Sequence, residues 1–204
     1  IRRPPRSTLF PTRRSSDLLF LRSKGTYTST LSYLPLQSHS GLATAIMSDG
    51  QAKQDLRKKI EATVTGFFAA YEDGRTQNDP SLINRDVTQD CLRYLLPDSF
   101  RKSLGLPPDF AMSNEIYEQN YINDLKIGEV HNTVTSDLTV DLDARKAALT
   151  TKSDMIFNEG DTLVLEFAWF FDFTEDGSKI KKVMEFVNPD AVRAMEARGK
   201  DRAT

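Results

Sequence analysis

The stretch Thr162-Leu163-Val164-Leu165-Glu166-Phe167-Ala168-Trp169-Phe170-Phe171-Asp172-Phe173 decides the fold. It is rich in aromatic and branched residues, holds neither Gly nor Pro, and is bounded by the turn signals Asn158-Glu159-Gly160-Asp161 and Glu175-Asp176-Gly177, so it reads as a strand. Side chains along a strand alternate between two faces. Leu163, Leu165, Phe167, Trp169, Phe171 and Phe173 share one face; Val164, Glu166, Ala168, Phe170 and Asp172 share the other. The first set is wholly apolar and the second is apolar but for two carboxylates. Neither face is therefore expected to be fully solvated: one covers a core, the other a partner subunit or the helices.

Working outward, the hairpin signal at 175–177 leads into a strand at Lys179–Val187, with Val183, Glu185 and Val187 on one side and Ile180, Lys182, Met184 and Phe186 on the other. Ala147–Phe157, Leu138–Leu142 and Val130–Thr135 also read as strands. Each is joined to the next by a turn too short for a crossover, which predicts antiparallel pairing. Upstream the period changes. Leu56, Ile60, Val64, Phe67 and Tyr71 form a stripe of helical spacing over residues 51–73, with Ser48 and Gln51 as a capping box and Gly74 as a stop. Asp79 and Pro80 open a short helix to about Val87. Cys91–Leu96 is a short apolar run ending at Pro97, and 98–112 a loop. Ser113 caps a helix to about Leu125 that carries Tyr117, Tyr121 and Leu125 on one face. Asn188-Pro189-Asp190 starts a closing helix that ends near Gly199. Helices first and strands after is an α+β order. The expected architecture is a curved, mostly antiparallel sheet wrapped on about three helices, a cone with a pocket at its open end.

Composition excludes other classes. The chain has 204 residues, 39% hydrophobic and 27% charged, which is neither collagen-like nor wholly disordered. No run of 18 apolar residues occurs, so no membrane-spanning helix is expected. The lone Cys91 excludes an intrachain disulfide framework and, with no secretory signal after Met47, points to the cytoplasm. Two histidines leave little for a zinc site, and no metal is expected. No Ser/His/Asp order or Gly-rich phosphate loop stands out. Residues 1–46 hold seven Lys and Arg against one Asp, whereas 47–204 hold 20 against 28 acidic residues. An acidic body argues against a nucleic-acid partner.

Residues 1–46 lack any sustained period and are expected to be a disordered tail outside the domain at 47–204. An Arg- and Ser-rich, acid-poor profile also fits a transit peptide. A second reading is that residues 1–18 resemble translated sequencing-adapter read-through, with Met47 opening the native chain.

Candidate chemistry lies on the strands. Glu166 and Glu185 have two readings: they face a concave cavity, with desolvation raising their pKa so that they shuttle a proton, or they form ion pairs with Lys152, Lys182 or Arg93 across the sheet. Asp172, at the hairpin end, reads as an ion-paired residue. His131 has an acid/base reading beside that of an ordinary hydrogen-bonded strand residue. Tyr117 and Tyr121 are core residues or pocket donors. Cys91 reads as inert core.

Several short motifs resemble SnoaL-like proteins of the nuclear transport factor two-like, ketosteroid isomerase-like superfamily, in a fungal branch. They are Leu96-Pro97-Asp98-Ser99, Asn114-Glu115-Ile116-Tyr117, Asp141 to Arg145-Lys146, Glu166-Phe167-Ala168-Trp169, and Asp176-Gly177-Ser178-Lys179-Ile180 followed by Glu185-Phe186-Val187-Asn188, together spanning about residues 55–198. The resemblance implies the cone fold and an isomerase or polyketide-cyclase type of activity, by acid/base side chains without cofactor, on a hydrophobic ketone-containing molecule. It implies catalytic roles for Glu166 and Glu185, with Arg93, Tyr94, Tyr117 and His131 as pocket members; His131 is also a catalytic candidate, and Tyr121 and Trp169 are expected to contact substrate. Asn188 stands where the family pattern has Asp; if it only caps the last helix, Asn serves equally. The same fold hosts non-catalytic binders and dimerisation modules, which is the alternative function. A homodimer through the convex sheet face is expected, presenting either Trp169 and Phe171 or the opposite set.

Overall fold

The computed structural model describes residues 40–201, with side chains from 49 to 198, inside one compact unit. The readings made for residues 1–39 lie outside the described residues.

Helix α1 runs Ser40–Thr76, passing through Met47 and through Gly74. Gly74 is therefore not a stop. A Cβ there would lie 3.1 Å from the Tyr121 ring and hydroxyl and 3.2 Å from the Asp79 carbonyl, so glycine lets α1 and the tyrosine pack closely. Asp79 caps a single 3-10 turn, Pro80–Asn84, by accepting from the Ser81 amide at 3.1 Å. Strand β1 follows (Val87–Leu96), then α2 (Asp98–Ser103) inside the expected loop. Ser113 caps α3 (Asn114–Ile127), its hydroxyl accepting from Ile116. Four long strands come next: β2 (Gly128–Asp141), β3 (Lys146–Phe157), β4 (Thr162–Phe173) and β5 (Ile180–Phe186). Helix α4 (Pro189–Asp201) follows β5, its first turn capped by Asn188 Oδ1, which accepts from Asp190 and Ala191.

The sheet order is β1-β5-β4-β3-β2. Three pairs are antiparallel as expected, but β1 pairs with β5 in parallel. The sheet is open and curved. The two strands expected at 130–142 are one strand with irregularities after His131 and after Ser136, where Asn132 and Asp137 take positive φ. Another irregularity, between Asp172 and Phe173, turns Ile180 inward to full burial although its parity with Met184 and Phe186 placed it outside.

Alternation in β4 holds. Leu165, Trp169, Phe171 and Phe173 are buried, while Val164, Glu166 and Phe170 are exposed. Trp169 and Phe171 therefore belong to the core and not to an outward dimer face. The stripe of α1 lies over this inner face: the Phe67 ring is 5.8 Å from Trp169 and 5.2 Å from Phe171, edge to face. Ile60, Val64 and Phe68 complete that end of the core. At the other end Ile127, Met155, Phe157 and Leu165 form a second cluster under α3 and α4. Among the described residues no helix is long and apolar enough to cross a membrane.

Candidate active site

Between these clusters α3, α4 and the loop after α2 stand off the sheet and leave a cavity of about 840 Å³. Its floor is the inner face of β3, β4 and β5. Phe68 and Trp169 form one end, α3 one wall, and Val192, Met195 and Glu196 of α4 the rim. The lining is mostly apolar, which makes each polar group in it informative.

Glu185 is the inward carboxylate of β5. It is 9% exposed and reaches the cavity. Burial pushes its carboxyl up to about 7; the Arg93 guanidinium opposes the shift and Asp124 adds to it. Asp124, on α3, lines the same cavity, and burial alone raises it to about 7. Two carboxyls whose protonation changes near neutrality thus line one apolar hollow. Asp124 escaped the sequence reading, although the signal existed: Tyr117, Tyr121 and Asp124 stand at helical spacings of four and three, on one face of α3.

Tyr71 and Tyr117 supply the hydroxyls. Both line the cavity and hydrogen-bond to each other through their phenol oxygens. Burial holds both phenols above their ordinary range, so they stay protonated and able to donate. In such a pair one proton is used internally and the other is free for a ligand oxygen. Tyr121 also lines the cavity, but its hydroxyl donates to the Tyr71 carbonyl at 2.5 Å and fastens α3 to α1.

Arg93 lies behind this wall. It is 1% exposed, and its guanidinium carbon sits 3.7 Å from the centre of the Tyr117 ring. One nitrogen donates to the Ile83 carbonyl (3.2 Å) and to Asn84 Oδ1 (2.8 Å). Arg93 is not part of the cavity lining, so direct contact with substrate is not supported by its position; it braces Tyr117.

Three further expectations, for Glu166, His131 and Tyr94, are corrected by placement, and that for Asp172 holds. Glu166 projects from the outer face, and its carboxylate pairs with Lys152 at 3.5 Å, both side chains more than half exposed. The odd–even parity of β4 puts it opposite in direction to Trp169. His131 lies outside the cavity lining, where its Nε2 meets Glu129 at 3.0 Å and Arg75 at 3.0 Å; Arg75, chiefly, holds the Glu129 carboxyl below its usual range. Tyr94 stands outside the cavity lining, with Lys182 over its ring at 4.8 Å. Asp172, read as ion-paired, pairs with Lys146 at 2.9 Å. The structure thus brings Glu185, Tyr117, Tyr121 and Trp169 together and leaves Glu166, His131 and Tyr94 apart. Cys91 is buried, and burial pushes its thiol up to about 11, so it is inert. Among the described residues no group of three His, Cys, Asp or Glu side chains could hold a metal ion.

Comparison with solved structures gives the fold a name. It matches PrhC from Penicillium brasilianum at 18% identity, covering 72% of this chain and 92% of that one with a TM-score of 0.60. It also matches the BvnE pinacolase from Penicillium brevicompactum at 18% identity (72% and 94% covered, TM-score 0.56). A putative isomerase from Bacillus subtilis matches at 14% identity (70% and 96% covered, TM-score 0.53). The fold is the nuclear transport factor two-like cone. No protein-family model matches the sequence, and no curated protein matches it. At these identities the likeness establishes architecture, and function rests on the cavity.

Proposed function

We propose that the chain is an isomerase- or cyclase-type enzyme that moves a proton on a hydrophobic ketone of polyketide or terpenoid-like character, without a cofactor. The observation carrying this reading is that Glu185 and Asp124, both raised to about 7, line one apolar cavity. At neutral pH such a pair presents both a base and an acid. In the ionised form Glu185 takes the proton from the carbon beside the carbonyl. The electrons move to the carbonyl oxygen, where the free proton of the Tyr71–Tyr117 pair donates a hydrogen bond to the forming enolate. Where a carbon–carbon double bond lies next to that carbon, the enolate is a dienolate; Asp124 in its protonated form gives a proton to its far carbon, the double bond moves into conjugation with the carbonyl, and the isomerisation is complete. One structure of this fold, described as a putative isomerase, is in keeping with such chemistry.

The test is uptake of solvent deuterium beside the carbonyl of acetylnaphthalene, followed by mass spectrometry. The protein should accelerate exchange, and Glu185→Gln should lower it on the order of a hundredfold or more with the fold intact. Undiminished exchange in that variant overturns the role. The second reading, a binder without chemistry, is favoured by the mostly apolar lining; tight binding of the ketone with no exchange by the native protein would establish it.

The reading includes a homodimer through the outer sheet face. Val164, Phe170 and Phe186 are 40–46% exposed there, an unusual run for a solvated face. Light scattering giving a strict monomer would contradict it.

A further inference from the structure

The proposed chemistry leaves part of the cavity floor without a task. Inward positions of β3 read Ala147, Leu149, Thr151, Ser153, Met155 and Phe157. The row is apolar at both ends and hydroxylic in the middle, where the cavity lies. Thr151 and Ser153 are only 5% and 7% exposed. Trp169 Nε1 donates to Thr151 Oγ1 at 2.8 Å. That bond satisfies the indole and leaves the Thr151 O–H proton with no acceptor among the described residues. Ser153 Oγ and Thr133 Oγ1 are 3.0 Å apart, and one hydroxyl proton of that pair is likewise unused. A buried hydroxyl proton is costly to leave unpaired. Serving Trp169 requires Thr151 alone; Ser153 has no such duty, and an alanine would fill its place.

We propose that Thr151 and Ser153, with Thr133 at the rim, form a second polar subsite that donates hydrogen bonds to an acceptor oxygen at the far end of the substrate. The inference rests on the reading of Glu185 as the site of proton transfer, and it specifies the substrate: an elongated, mostly apolar ketone with an ether, carbonyl or quinone oxygen remote from the reacting carbon. Strand register sets the separation. Glu185 stands opposite Trp169, Trp169 opposite Leu149, and Thr151 is the next inward residue of β3. Two strand spacings and one pleat repeat put Glu185 and Thr151 roughly 12 Å apart along the sheet, with Ser153 one step further. A small ketone cannot span that distance; a molecule of two or more fused rings can.

The test uses a matched pair of probes: acetylnaphthalene with a methoxy group at the opposite end of the rings, and the isosteric ethyl analogue. Their dissociation constants are measured by fluorescence titration, which needs no turnover. The native protein should prefer the methoxy probe by about three- to tenfold. Ser153→Ala and Thr151→Val should each reduce the preference, and Thr151→Ser, which keeps the hydroxyl and the Trp169 bond, should retain it. Glu185→Gln should leave the preference unchanged while abolishing exchange, which separates this inference from the failure of the catalytic reading. Equal affinities in the native protein, a preference unaltered by both Ser153→Ala and Thr151→Val, or no measurable binding of either probe overturns the subsite.

Discussion

Glu185 stands directly opposite Trp169 across the β4–β5 pair, and both side chains point inward. The carboxylate is thus set beside the indole that Phe67 and Phe68 pack against. Among the described residues it has no ion pair in that position, although Arg93 lies near enough to pull its pKa down in part. An unpaired buried carboxylate is expensive to ionise, and the expense appears as the raised pKa.

That expense has a sign. Glu185 goes from an ordinary 4.5 to about 7 on folding. Between those values the folded chain binds more protons than the unfolded one, so stability falls as pH rises from about 4.5 to about 7. At higher pH the penalty is about 3 kcal/mol. Glu185→Gln should remove it: urea denaturation at pH 8 should show a more stable variant, and at pH 4 little difference. A variant equally stable to the native protein at both pH values would place Glu185 in water.

Asp124→Asn removes the like charge facing Glu185. The Glu185 midpoint should move down, because Asp124 contributes to its rise. The pH profile of deuterium exchange should also lose the limb that reports the second carboxyl. An unchanged two-limbed profile would remove Asp124 from the chemistry.

Glu166→Gln should leave exchange unchanged and alter stability by less than about 0.5 kcal/mol, since its pair with Lys152 is exposed. A large loss of exchange would contradict the placement of Glu166 on the outer face.

Gly74→Ala sets two effects against each other. Alanine favours the helix by about 1 kcal/mol. The added carbon, 3.1 Å from Tyr121 and 3.2 Å from the Asp79 carbonyl, meets a ring whose hydroxyl is already fastened to the Tyr71 carbonyl. Overpacking of this kind costs about 1–3 kcal/mol, so thermal denaturation should show a net loss. A gain in stability would mean that the tyrosine yields.

Much of this was legible in the sequence for identifiable reasons. Strand β4 was legible because alternation of large apolar residues is a strong local signal, and it also assigned Trp169 and Phe171 to one face. The caps of α3 and α4 were legible because Ser113 and Asn188 are residues whose side chains accept from amide groups. The parallel pairing of β1 with β5 was not, since Val87 meets Ile180 across a gap in sequence that no turn reports. Glu166 and Glu185 were indistinguishable by type and setting; only the sheet's curvature around α1 decides which strand parity faces the hollow. Asp124 was legible only through its helical spacing from Tyr117 and Tyr121, because its acidic type alone does not set it apart from Glu115 and Glu118 of α3.

The most direct test is the titration of the Glu185 side-chain carboxyl, followed by carbon NMR on protein labelled at glutamate and assigned with Glu185→Gln. The resonance should move with a midpoint near 7, well separated from the exposed glutamates. A midpoint near the ordinary 4.5 would mean that water reaches the carboxylate, and the proposed proton transfer would lose its base.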